Sequence, residues 1–365
     1  MEINGRLIRL NRIHLEEDAG KLIHERNLSI LDFNRAGVPL IEIVTEPDIR
    51  SADEASAFVE HMRLTLVYGD ICDGKMEQGS LRVDANISVM PEGSSVYGTR
   101  TEIKNLNSFR FMKKAIEFEI ERQINVLEDK GRIIQETRRY DEASGETFSM
   151  RSKEDAHDYR YFPDPNILPL VITEEDIAGI REKLPEPPYS RFQRYTDEYG
   201  LPAKDAETIL AERFIADFFD AAIRHGANPK AASNSIRGEI LRCVRETGSD
   251  DIPVNSADFV RALDLAAKND ITQEGLKTAL AYMFIKRADI DRAVKDNNLL
   301  VSEDFELIRD VVSEVIRAST DIVRKYKEGN TKVYSYLFGQ CMKRLKGKAL
   351  PATIDSELKK GLNKI

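Results

Sequence analysis

The hydrophobic period of this chain changes once, across a proline-rich stretch, "KLPEPPYSRF" (Lys183–Phe192). Before it, short runs alternate apolar and polar residues as half-buried strands do, interleaved with helix-period segments. After it strand patterns vanish, and amphipathic helices run on, punctuated by Gly226, Gly248, Pro253, Gly275, Gly329 and Gly347. At 365 residues the chain is too long for one typical core. The pattern predicts an α+β fold with a mixed-sheet cradle at 1–184, an all-α helical domain at 185–296 and a small helical tail domain at 297–365. The second boundary rests on "VKDNNLLVSEDFELI". There Ser302 can cap a helix whose first turn holds Glu303, Asp304 and Glu306, where the helix dipole favours negative charge.

Within the cradle, "GVPLIEIVTEP" (Gly37–Pro47) reads as a strand, followed by Ser51 and Glu54 spaced as a capping box. The next helix puts Phe58, Met62 and Leu66 on one face. "LRVDANIS" (Leu81–Ser88) alternates Leu81, Val83, Ala85 and Ile87 with Arg82, Asp84, Asn86 and Ser88, so a guanidinium, a carboxylate and a carboxamide share one strand face. A second strand lies near Tyr97–Lys104. A long helix capped by Asn107 or Ser108 then turns Met112, Ile116, Ile120 and Leu127 inward and ends near Gly131. "IIQETRRYDEASGETFSMRS" reads as a hairpin around Glu142–Gly145.

The net charge of −9 is unevenly spread. From Asp321 to Ile365 eleven Lys and Arg face four Asp and Glu, so an acidic body carries a basic tail. A polyanion met at one end explains this, as does a solvated basic helix. No apolar run approaches the roughly 20 residues a bilayer requires. The start shows no apolar core of a signal peptide. Cys72, Cys243 and Cys341 lie far apart, with no metal spacing and no disulfide framework. A soluble, cytoplasmic protein with no membrane partner is expected.

Four polar clusters in the cradle can carry chemistry. They are "HLEEDAGK" (His14–Lys21), Glu77 with Arg82, Asp84 and Asn86, "TEIKNLNS" (Thr101–Ser108), and "RSKEDAHDYRYFPDP" (Arg151–Pro165). Magnesium takes carboxylate oxygens, waters and phosphates. Glu17, Asp84 and Glu102, converging on one edge or face of a sheet, would supply the carboxylates. Arg82 and Lys104 would meet phosphate oxygens, and the helix start after Asn107 adds backbone N–H groups and a positive dipole end. Those are the parts of electrostatic phosphoryl transfer. Each piece alone also has an ordinary reading: a solvated turn, a buried salt-bridge network, helix capping and a surface loop. No Gly-rich phosphate loop, dinucleotide fingerprint or nucleophile elbow is present, and Cys72 in "DICDGK" is a poor nucleophile candidate.

The strings "LDFNRAGVPLIEIVTEPDIRS", "GSLRVDANISV", "TEIKNLNSFRF", "QETRRYDEASGETFSMRSKEDAHDYRYFPDPN" and "GQCMKRLKGKALP" together resemble one family. It is the B subunit of the bacterial and organellar aspartyl/glutamyl-tRNA amidotransferase, and the similarity runs along essentially the whole chain. The resemblance implies ATP- and Mg2+-dependent phosphorylation of the side-chain carboxylate of Glu or Asp esterified to tRNA. Ammonia released by the glutaminase (amidase) partner, the A chain of that enzyme family, then displaces the phosphate, and a small third chain, C, completes the heterotrimer. It also implies a family segment ahead of Met1 that contributes further metal-site residues.

Carried over by position, Glu17 resembles a carboxylate at the mouth of the ammonia path, Glu102 a magnesium ligand, and Asp84 another acid of that pocket. Arg82, Lys104, Asn105 and Arg160 are assigned to nucleotide or acceptor-end binding on chemistry alone. Lys332, Gln340, Lys343, Lys346 and Lys348 resemble the part that meets the outer corner of the misacylated tRNA. Val83, Gln78 and Tyr140 depart from the Cys, Glu and Trp common in the family. Two other readings stay open: a non-catalytic tRNA-binding scaffold, and an unrelated magnesium-dependent ligase for a small carboxylic acid.

Overall fold

Three antiparallel ribbons open the chain: β1 (Glu2–Ile3) with β2 (Arg6–Leu7), β3 (Leu10–Glu17) with β6 (Pro39–Thr45), and β4 (Lys21–Glu25) with β5 (Leu28–Asp32). They belong to a computed structural model that describes residues 1–25, 28–152, 165–166, 168–301, 305–345 and 349–363. The chain divides into two units, Met1–Pro185 and Glu186–Ile365.

After the ribbons come α1 (Ala52–Tyr68), β7 (Val83–Ile87), β8 (Thr101–Leu106), α2 (Phe109–Glu128), β9 (Glu136–Asp141), β10 (Glu146–Ser152) and α3 (Glu174–Lys183). The four later strands form one sheet in the order β10-β9-β8-β7. Its central pair β8–β9 is parallel, joined through α2, and both outer pairs are antiparallel. The mixed sheet expected from the sequence is therefore present. The β9–β10 turn needs a left-handed residue, which Gly145 supplies at φ 75°. Asp141 caps that turn by accepting from the Ser144 N–H and hydroxyl at 3.0 and 2.8 Å.

Both long helices begin where their caps predict. The Ser51 hydroxyl accepts from the Glu54 N–H at 3.1 Å, and Ser108, not Asn107, caps α2 by accepting from the Phe111 N–H at 3.2 Å. The Glu54 carboxylate reaches back to the Arg50 N–H at 2.7 Å, one residue beyond the reciprocal capping-box position.

Helix α2 lies against one face of the sheet. Met112, Ala115 and Ile116 pack with Ile87, Ile103, Leu106 and Tyr140, and Ile120 closes the cluster from its edge. Each large apolar side chain buried this way contributes about 1.5–3 kcal/mol. Leu127, expected on the inward face, is 45% exposed. The inward positions of the helix's second half belong instead to Glu119 and Gln123, both 0% exposed. Glu119 accepts from the Thr101 hydroxyl (2.7 Å), Gln123 Nε2 (2.9 Å), the Thr147 hydroxyl (3.0 Å) and the Arg122 guanidinium (2.6 and 2.9 Å). Gln123 also donates to the Ile87 carbonyl at 3.1 Å. Pure periodicity assigns the face to Leu127 because it cannot see a carboxylate buried under matching donors.

The second unit is helical: α4 (Pro188–Gln193), α5 (Ala203–Leu210), α6 (Arg213–Arg224), α7 (Pro229–Ser235), α8 (Leu241–Thr247), α9 (Ser256–Ala267), α10 (Gln273–Lys286), α11 (Ile290–Asp296), α12 (Phe305–Ala318), α13 (Thr320–Lys327), α14 (Tyr334–Leu345) and α15 (Pro351–Asn363). Among its described residues, strand pairing is confined to one isolated bridge, Ile271 with Leu300. Part of the expected linker is helical, since Pro188 occupies the first turn of α4, where its missing N–H costs nothing. Residues 305–362 hold a core of their own, including Ile308, Val312, Leu337, Cys341, Ile354 and Leu358. Ser302, Glu303 and Asp304 lie outside the described residues. No helix among the described residues is long and apolar enough to cross a membrane.

Candidate active site

The face of the β7–β10 sheet opposite α2 carries the polar half of the alternation. Asp84 stands there on β7 and Glu102 and Lys104 on β8. The Lys104 ammonium lies 3.0 Å from Asp84 Oδ2 and 3.4 Å from Glu102 Oε1. Thr137, in register with Glu102 on β9, donates its hydroxyl to Glu102 Oε2 at 2.8 Å. Burial alone would lower the Lys104 pKa. The hydrogen bond and charge of Asp84, with Glu102 behind them, outweigh it and hold the ammonium above its ordinary value. The side chains of Lys104 and Asp84 are 39% and 45% exposed and that of Glu102 is 16% exposed, so the cluster opens to solvent on the Asp84 side.

The structure thus brings together two of the three carboxylates expected from the sequence. Glu17 is not gathered with them: it ends β3, opposite Pro39, exposed, on the ribbon face that also carries Ile13 and Leu15. Among the described residues no three His, Cys, Asp or Glu side chains form a group that could hold a metal ion. The three-carboxylate nest is therefore corrected to a pair.

The turn after Glu17 reaches the sheet through its neighbour. Asp18 Oδ2 pairs with Arg82 at 2.8 Å and with Arg35 at 3.1 Å. Arg82 precedes β7, exposed like Asp84 and Asn86, and its guanidinium is engaged by Asp18 rather than by the Lys104 cluster. Asn105 occupies β8, its side chain lying outside the described residues, as do Arg160, Lys346 and Lys348. Lys332 is exposed in a 3-10 turn (Thr331–Val333). Gln340 and Lys343 sit one turn apart on α14, Lys343 exposed on the side away from buried Leu337, Cys341 and Leu345 and Gln340 half-buried at the edge of that stripe.

Magnesium is commonly held by one or two carboxylates, with water and phosphate completing the shell. The Asp84–Glu102 pair matches that donor set, and the place between them already accommodates a positive charge. The residues fit the ion. Thr137 and Arg139 were not singled out in the sequence, although alternation within "QETRRYDE" put both on one strand face. Only the register with β8 shows that this is the Lys104 face.

These features define a carboxylate–lysine cluster on a mixed sheet, joined to a helical region, and comparison with known sequences gives it a class. The family model described as GatB/GatE catalytic domain matches residues 1–178, and that described as GatB domain matches residues 217–362. The chain is 44% identical to the aspartyl/glutamyl-tRNA(Asn/Gln) amidotransferase B subunit of Ruminiclostridium cellulolyticum, with 99% of this chain and 75% of the relative covered. It is 45% identical to the protein of the same name from Geobacter sulfurreducens (99% and 78%) and 43% identical to that from Carboxydothermus hydrogenoformans (100% and 78%). The chain belongs to the B-subunit family of the aspartyl/glutamyl-tRNA(Asn/Gln) amidotransferases.

Proposed function

We propose that this chain is the subunit of a tRNA-dependent amidotransferase that activates and amidates the misacylated amino acid, with Lys104, Asp84 and Glu102 at the reacting phosphate. The observation that supports this most is the Lys104 ammonium held between two carboxylates on the solvent-open face of the sheet. A side-chain carboxylate on an amino acid esterified to tRNA is a poor electrophile. Its oxygen attacks the γ-phosphorus of ATP, ADP leaves, and the acyl phosphate formed has a good leaving group. Ammonia from a glutaminase partner then attacks the carbonyl carbon, phosphate departs, and the amide remains.

Asp84 and Glu102 would hold magnesium, which when bound neutralises charge on the phosphates. Lys104 can turn its ammonium from these carboxylates onto a phosphate oxygen, as a mobile point charge on a flexible stem does. Thr137 keeps Glu102 oriented throughout. Exposed Lys332 in the turn before α14 and Lys343 on α14, with half-buried Gln340, would supply contacts to the tRNA backbone, which position the substrate without reading sequence.

Glu102→Gln tests this in the complex reconstituted with the glutaminase and small partner chains. Phosphate release that requires both ATP and misacylated tRNA should fall by at least about a hundredfold, on the scale of losing one electrostatic stabiliser, while tRNA binding stays intact. Undiminished release by Glu102→Gln overturns the catalytic reading and leaves the tRNA-binding scaffold.

A further inference from the structure

Arg139 occupies the next position along the face that holds Lys104. On β8 and β9 the registered pairs are Glu102 with Thr137, Ile103 with Arg138, and Lys104 with Arg139. The Thr137–Glu102 hydrogen bond fixes which face the odd residues of β9 share, and alternation then puts Arg139 beside Lys104. Across the other edge of β9, Phe148 of β10 pairs with Arg139 in the antiparallel ladder and so stands on the same face. Phe148 is 41% exposed, and Arg139 is exposed.

The cations around Arg139 are neutralised within the fold. Lys104 has Asp84 and Glu102, and Arg138, pointing to the α2 face, has Glu136 and Glu119. Arg139 makes no ion pair among the described residues. Asp141, two residues on, feels its charge but is engaged in capping the hairpin turn. Neighbouring strands lie about 4.8 Å apart, and like charges in register on them repel. A guanidinium held beside an ammonium, with no ion pair among the described residues, suits a ligand that brings negative charge. A planar fork matches two phosphate oxygens at once. An exposed phenyl ring next to it offers a base a stacking surface.

We propose that Arg139 and Phe148 extend the Lys104 cluster into a nucleotide site, the guanidinium taking a phosphate of the nucleoside triphosphate and the phenyl ring its base. This rests on the reading that ATP binds at Lys104. Calorimetric titration of the full chain with ATP and with inorganic tripolyphosphate separates the two contacts. Arg139→Ala should weaken both ligands about tenfold or more, the scale of a charged hydrogen bond, with Arg139→Lys intermediate. Phe148→Ala and Phe148→Leu should weaken ATP by roughly tenfold, the scale of one base–aromatic stack, and leave tripolyphosphate unchanged. Lys104→Ala is the control. If it weakens ATP while the Arg139 and Phe148 variants bind like the parent, this extension is wrong and the Lys104 reading stands. If the parent does not bind ATP, or Lys104→Ala changes nothing, the underlying reading fails and the extension with it.

Discussion

Thr137 Oγ1 donates to Glu102 Oε2 at 2.8 Å across the parallel β8–β9 pair, and Thr137 is itself 2% exposed. A buried hydroxyl that donates to a candidate ligand fixes which oxygen of the carboxylate faces the Lys104 ammonium. Thr137→Val keeps the shape and removes the donor. It should cost about 1–3 kcal/mol of stability, because a mostly buried carboxylate oxygen loses a hydrogen bond. It should also lower ATP- and tRNA-dependent phosphate release by roughly tenfold through the misoriented ligand. Thr137→Ser should restore both. Denaturant unfolding and a phosphate-release assay read the two effects separately.

Beneath the sheet, Glu119 is the other carboxylate on which the cradle depends. Burial by itself would raise its pKa, but hydrogen bonds from Arg122, Gln123 and Thr101 outweigh the desolvation and hold it below the usual range. A carboxylate depressed in the folded state contributes stability above its unfolded pKa and loses it as pH falls through the folded value. The chain should therefore lose stability progressively below about pH 4, the unfolded range for Glu. Glu119→Ala, which leaves Arg122 and the Thr101 and Thr147 hydroxyls without their shared acceptor, should cost about 3–5 kcal/mol at neutral pH. Glu119→Gln should lose less. A Glu119→Ala chain that unfolds at the parent's midpoint contradicts this account of α2 docking.

Residues 83–106 show how far the sequence carries. Alternation placed Asp84 on a polar strand face, because period two leaves little freedom once one face is apolar. It could not give the register between strands distant in sequence. Thr137 and Arg139 therefore went unnoticed as neighbours of Glu102 and Lys104. Glu17 illustrates the converse. "HLEEDAGK" has the ordinary reading of a solvated turn, yet Glu17 ends β3, and nothing in the string shows that Asp18, not Glu17, turns to Arg82. The helical half was legible as a class, since its apolar stripes carry the 3.6-residue period. Leu127 was misplaced because buried polar networks such as that of Glu119 break the stripe they occupy.

If nucleotide binds at Lys104 as proposed, the raised pKa of that lysine should give the binding a flat pH profile. A lysine whose folded pKa lies above its unfolded value contributes its ion-pair stability fully below the unfolded pKa. That contribution is lost only as pH rises through the folded one. Between about pH 6 and 9, Lys104 stays protonated. ATP affinity of the full chain, followed by calorimetry, should change less than about twofold across that window, after allowing for the nucleotide's own phosphate titration near pH 6 to 7. A steep loss of affinity between pH 7 and 9 means that a different, lower-titrating group binds the phosphate.

The helical tail makes a prediction about salt rather than pH. Lys332 and Lys343 are exposed, whereas Arg344 is paired with Glu314 at 3.0 Å and Lys359 with Asp355 at 2.8 Å. A cation already paired releases fewer counterions on meeting RNA, so the two lysines should carry more of the binding than the paired residues do. Removing one lysine–phosphate pairing should reduce the slope of log affinity against log salt by about 0.7–0.9. The double variant Lys332→Ala with Lys343→Ala should therefore flatten the slope for misacylated tRNA by roughly 1.5, while removing the Arg344–Glu314 pair changes it little. Replacing Arg344 alone would free Glu314 to repel the RNA, so both members are removed together, Arg344→Ala with Glu314→Gln, and the slope is compared with the parent's. Filter binding over a range of potassium chloride measures the slope. An unchanged slope in the double variant places the tRNA on another surface.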